Sequence, residues 1–190
     1  MKTSVAGIWK YNARLLQEGC YVIERLKNEA ISDLDYASNV GPHLRHVIEH
    51  YTALSNALRE AGLSVNYDNR NRNMAIQSDP DLTRSKLTEL IEWCLQEASR
   101  DIHECDMPLN THLQSGEFGE SRTTVPTSLG RELLFLASHT IHHFAILATY
   151  FRSHGVELGA DFGKAPSTLA HERQTETVLS NQVSYLTPIS

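Results

Sequence analysis

Residues 131–143 read Arg131-Glu132-Leu133-Leu134-Phe135-Leu136-Ala137-Ser138-His139-Thr140-Ile141-His142-His143, and this stretch decides the reading of the chain. Leu133, Leu136, Ile146, Leu147 and Tyr150 recur at helical spacing, with Ser128 placed to cap the helix and Gly155 to end it, so the pattern predicts a helix over 127–154. On that helix His139 and His143 stand at i and i+4, one turn apart, and their imidazoles leave the same face. A helix presents two nitrogen ligands to one metal ion by this spacing. Glu132 and Leu136 precede them on the same stripe, which is largely apolar and faces inward.

Three further segments share the 3.6-residue period. The first covers 12–33, with Leu15, Leu16, Tyr21, Val22, Ile23 and Leu26 as its stripe. A second, over 42–61, starts at Pro42 after polar Ser38-Asn39, buries Leu44, Val47, Tyr51, Leu54 and Leu58, and stops at Gly62. The third spans 81–104, opening on Ser78-Asp79-Pro80. Four helices of this length predict an antiparallel four-helix bundle over residues 1–158. A polar connection occupies 63–80. A long crossover occupies 105–126, where Thr/Val/Leu alternation with Pro and Gly reads as a short β-hairpin. Residues 159–190, rich in Gly, Pro and Ser, read as a tail that packs on the bundle or frays.

The second predicted helix carries its own cluster, His43, His46 and His50, at i, i+3 and i+7. Of the chain's ten histidines, six therefore fall in two clusters on two helices. Buried imidazoles each need a polar partner, and one of the three facing His139 and His143 completes a three-nitrogen site. Neutral imidazoles suit zinc or nickel, and also iron, manganese or cobalt, whereas calcium and magnesium prefer oxygen. Three protein ligands leave coordination positions open, as in catalytic sites.

The net charge of -6 and the absence of a basic patch argue against nucleic-acid binding. Three scattered cysteines (Cys20, Cys94 and Cys105) without a CxxC pair, no signal-like N-terminus and no run of about 18 apolar residues lead us to expect a cytoplasmic protein that does not span a membrane.

The chain resembles the DinB/YfiT-like superfamily of metal-binding bundles. The resemblance rests on Asn39-Val40-Gly41-Pro42-His43-Leu44-Arg45-His46 and on Arg131 to His143, and covers residues 10–155. It implies a fold of four helices and a divalent metal held by His139, His143 and one histidine of the second helix. The family pattern places that ligand at His46, with His50 and then His43 as alternatives. One departure is that the H-H-R-G-Q run continues here as His143-Phe144-Ala145-Ile146, so any role of that Arg and Gln is missing.

The resemblance carries a metal more firmly than a reaction. A metal-dependent hydrolase would activate water, with Glu132, Asp68 or His50 as its general base. A transferase of a low-molecular-weight thiol (bacillithiol, mycothiol or glutathione) would use the metal to supply thiolate, with Arg70 and Arg72 binding the carboxylates of that cosubstrate. A third reading is a non-enzymatic stress or interaction protein. The partner expected is a small molecule, and a homodimer is compatible with a bundle of this size.

Overall fold

The computed structural model describes residues 4–28, 36–60, 62–100, 102 and 104–184. These form six helices and a small mixed sheet. In chain order they are α1 (Ala6–Asn28), a π-helical turn (Tyr36–Val40), α2 (Gly41–Arg59), β1 (Ser64–Asn66), α3 (Met74–Ser78), α4 (Pro80–Arg100), β2 (Pro108–Ser115), β3 (Ser121–Ser128), α5 (Leu129–Ser153) and α6 (Pro166–Ser184). The expected end of the first helix at Asp33 lies outside the described residues.

Helices α1, α4 and α5 are explained by their local sequence. In α1 the spacing of Trp9, Ala13, Leu16 and Ile23 buries one face. Helix α4 starts where Asp79 Oδ1 accepts from the backbone N–H groups of Asp81 and Leu82, with Pro80 at the first helical position, as its sequence predicts. Ser128 Oγ accepts from the Arg131 N–H at the start of α5. That helix ends where Gly155 adopts a positive φ of 76° and the Val156 N–H reaches back to the Phe151 carbonyl. The start of α2 differs from expectation. No side chain caps it, and the chain enters through the π-helical turn, with Pro42 in the first turn.

Helices α1 and α2 each pack against both α4 and α5. Trp9, Leu16, Leu44, Tyr51, Leu87, Leu133, Phe144 and Phe151 meet in their common interior, all essentially inaccessible to solvent. A polar link crosses it: Tyr51 Oη donates to Asn12 Oδ1 at 2.6 Å, and Asn12 Nδ2 donates to the Leu133 carbonyl at 3.2 Å. Three helices are thereby held in one register by groups that would be expensive to bury unpaired. Among the described residues, α5 alone is long and apolar enough by length and composition to cross a membrane; its Leu129, Leu133, Leu136, Phe144, Leu147 and Phe151 are buried, whereas Leu134 and Ile146 are exposed.

The crossover forms the expected hairpin, β2 antiparallel to β3, around Gly116 and Gly119, both at positive φ. The 63–80 connection holds more structure than its polarity predicts. It contributes β1, which pairs parallel to β2, and the short α3, capped by Asn73. Both depend on partners distant in sequence, which local composition does not register. In the C-terminal segment, 166–184 is helical, an element that its Gly, Pro and Ser content did not predict. Ahead of it Gly163, at φ 71°, presses against the backbone of α5 at Phe144 and Ala145, and Phe162 stacks on Phe144 at 5.1 Å.

Candidate metal centre

The two histidine clusters face each other between α2 and α5. One ring nitrogen each of His46, His139 and His143 lies within 4.8 Å of the other two. Their ring centroids are 4.6 to 4.9 Å apart, at interplanar angles of 54° to 80°, so the rings converge instead of stacking. The i, i+4 spacing on α5 sets the first pair, and the packing of α2 on α5 brings the third.

The donor set suits a divalent transition metal. Nε2 of His139 and Nε2 of His143 are both buried and have no hydrogen-bond partner. Two orphaned imidazole nitrogens, on rings that with His46 each bring a nitrogen within 4.8 Å of the others, are an arrangement a metal would satisfy.

The surrounding groups orient these rings. His43 Nδ1 lies 2.9 Å from His143 Nδ1. With the His143 Nε2 lone pair directed inward, its Nδ1–H donates to His43, which fixes the tautomer as an outer partner of a metal ligand does. His139 is backed by the ring of Phe135 at 5.5 Å and 20°. His50 donates its Nδ1–H to the His46 carbonyl at 2.8 Å and stacks on Tyr67 at 5.3 Å and 16°. Its Nε2 is thereby left as an acceptor, with the His50 ring centred 4.3 Å from that of His139.

The acid and base candidates fare differently. Glu132 is buried on the expected stripe, but its two oxygens accept from Tyr67 Oη and Thr127 Oγ1, each at 2.7 Å. It braces the base of the site and has no free oxygen directed at the three histidines. Asp68 Oδ2 accepts from the Gln114 N–H at 2.6 Å, tying the 66–70 loop to β2. Of the three proposed bases, His50 is the one beside the triad. Arg70 is brought to it as well: its Nη1 donates to His46 Nδ1, and its side chain is only 16% exposed. Arg72 is exposed and does not join the cluster.

Two contributors escaped the sequence reading. Tyr67 had no periodic signal, since it lies in a loop. Glu49, which pairs with Arg45 at 2.9 Å and lies 3.9 Å from Arg70, sits between His46 and His50 at a spacing that places it on the adjoining flank of α2.

Burial is the first cause of the acidity of these rings, and neighbouring positive groups add to it. His46 is pushed down to about 2, with His50, Arg70 and the other two rings contributing; His143 falls to about 3 and His139 to about 4. All three are neutral at physiological pH, the form a metal requires. The unfolded imidazoles take up protons near 6.5 while the folded ones do not until pH approaches 4. In that window the unfolded state binds more protons, so stability falls with decreasing pH. We expect a metal-stripped sample to be flat in stability above pH 6.5 and to lose it below. The three rings together should give a slope of at least about 1 kcal/mol per pH unit, after discounting the full linkage of about 1.4 per group for solvent screening. Urea midpoints at pH 7.5, 5.5 and 4.5 check this, and equal midpoints would contradict it.

No family model matches the chain, and no solved structure matches it. Among curated proteins it is similar to FK506-binding protein 5 of Rhizopus delemar, with 28% identity over 107 residues. Those residues are 56% of this chain and 27% of that protein, so the chain spans about a quarter of the length of this relative.

Proposed function

We propose that the chain is a DinB/YfiT-like four-helix bundle that binds one divalent transition metal through His46, His139 and His143, and that it acts as a metal-dependent hydrolase. The observation that carries this reading is the pair of buried, unpartnered Nε2 atoms of His139 and His143 on rings grouped with His46 within 4.8 Å. The cyclic packing of α1, α4, α2 and α5 supports the bundle. Zinc or nickel suits three neutral imidazoles best. The partial likeness to an FK506-binding protein covers too little of that protein to carry a ligand across.

Such an ion lowers the pKa of water toward about 7, or ionises a thiol. The chain's own contribution is in the groups around it. His50 Nε2 accepts the proton released by the attacking group, because its other nitrogen is committed to the His46 carbonyl. Tyr67, Phe135 and the buried Glu132 hold that ring and His139 in place. The placement of Arg70 favours thiol transfer as the second reading, since an acidic thiol cosubstrate needs a cation at this point.

The test is hydrolysis of a simple activated ester by untagged protein loaded stoichiometrically with zinc. We expect a rate above buffer that tracks metal content and falls about a hundredfold in His50→Ala at unchanged metal loading. An inactive zinc form, together with a sulfur-to-metal absorption band when glutathione is added to the cobalt form, would select thiol transfer. Neither signal would leave the non-enzymatic role.

A further inference from the structure

Arg70 stands in an unusual relation to the three histidines. Its Nη1 donates to His46 Nδ1, which must therefore be an unprotonated acceptor. That contact cannot coexist with metal ligation by His46, whichever ring nitrogen the metal takes. If the metal takes Nδ1, the lone pair is used. If it takes Nε2, the neutral ring carries its proton on Nδ1 and has nothing left to accept with. Either way the guanidinium must leave His46.

It has little negative charge to move to. Glu49 is the adjacent carboxylate, 3.9 Å away, but its Oε2 already pairs with Arg45 at 2.9 Å and its Oε1 accepts from the Asn73 N–H at 2.9 Å. Asp68 is held by the Gln114 backbone. Arg45, Arg70 and Arg72 thus stand against Glu49 and Asp68, and all of these except Arg70 itself act on its charge. A dication would enlarge an existing excess of positive charge. Arg70 Nε is in addition buried and without a partner, so its guanidinium has an unused donor edge of the kind a carboxylate takes with both oxygens.

Resting on the metal reading above, we infer that the small molecule completing this site carries a carboxylate, shared between the metal and Arg70, so that metal and carboxylate bind cooperatively. By linkage each raises the affinity of the other by the same factor.

Zinc titrations by competition with a chelating dye, in acetate and in its neutral counterpart acetamide, test this with the intact chain. Acetate should tighten zinc binding to the wild type by at least about tenfold relative to acetamide. In Arg70→Met zinc should bind at least as tightly as in the wild type without acetate, and the acetate effect should vanish. Arg70→Lys should keep part of it, and Arg70→Gln serves if the Met variant does not fold. An equal acetate effect in wild type and Arg70→Met, or weaker zinc binding in Arg70→Met, overturns the inference and leaves the metal site standing. Failure of every form to bind zinc overturns the metal reading itself, and the inference with it.

Discussion

His143→Ala is expected to abolish metal binding. Purified without a chelator or a histidine tag, the wild type should hold about one divalent ion per chain and the variant almost none, as read by inductively coupled plasma mass spectrometry. Structural zinc bound by four ligands is worth about 10–16 kcal/mol, so one nitrogen accounts for about 3 kcal/mol, or at least about a hundredfold in affinity. The geometry makes the loss harder to absorb. His43 turns its Nδ1 toward His143, and neither it nor His50 is among the three rings whose nitrogens lie within 4.8 Å of one another. His50, whose Nε2 stays open beside His139, would therefore have to shift to replace the lost ring. His46→Ala should behave like His143→Ala, whereas His50→Ala should keep its metal. His43→Ala removes only the partner of His143 Nδ1, and a weakening of about tenfold is expected. Should metal disappear with His50→Ala and persist with His46→Ala, His50 is the ligand on α2. A wild type that takes up no zinc, nickel or manganese would remove the catalytic reading and favour an interaction protein.

The second large effect concerns folding. Gly41→Ala should destabilise the protein by about 3 kcal/mol, measured as a shift in denaturant midpoint at unchanged slope. Helix propensity alone would give the opposite sign, since Ala is favoured over Gly by about 1 kcal/mol within a helix. Packing overrides it here. A Cβ on Gly41 would lie 1.8 Å from the Gln77 carbonyl oxygen and 3.1 Å from Tyr36 Cε1. Backbone meets backbone at this point, so no side chain can rotate away, and either α3 or the start of α2 must move. Because α2 carries His43 and His46 in its first two turns, the same change should also loosen the metal site. A variant as stable as the wild type would show that α3 detaches easily and that the close approach does not hold α2 in place.

Helices α1, α2, α4 and α5 were legible because their determinants are local. A period of 3.6 in apolar residues, Ser128 and Asp79 at two N-termini and Gly155 at a C-terminus act within a few residues, and the structure places all of them as read. The pairing of His139 with His143 was legible for the same reason. Residues 63–80 and 166–184 were not, since β1 exists only by pairing with β2, and the approach to α6 follows the docking of Phe162 and Gly163 onto α5.

Glu132 shows where a pattern misleads about role. It lies on the inward stripe and stands among three candidate bases, with a charge at the helix N-terminus as its other reading, yet Tyr67 and Thr127, 65 and 5 residues away in sequence, take both oxygens. Arg70 shows the converse: a loop arginine, 24 residues beyond His46, becomes the cation of the site because the 66–70 loop is anchored to β2 through Asp68.

By itself, then, the sequence determined helices α1, α2, α4 and α5, the inward faces of α2 and α5, and the presence of histidines on both, all of which follow from spacing along one chain segment. Which histidine of α2 meets His139 and His143, which carboxylates stay free and which cation stands beside the triad were decided by tertiary structure. These depend on the rotation and depth at which α2 packs on α5 and on where loops are tied, and no period in the sequence encodes the distance between two helices.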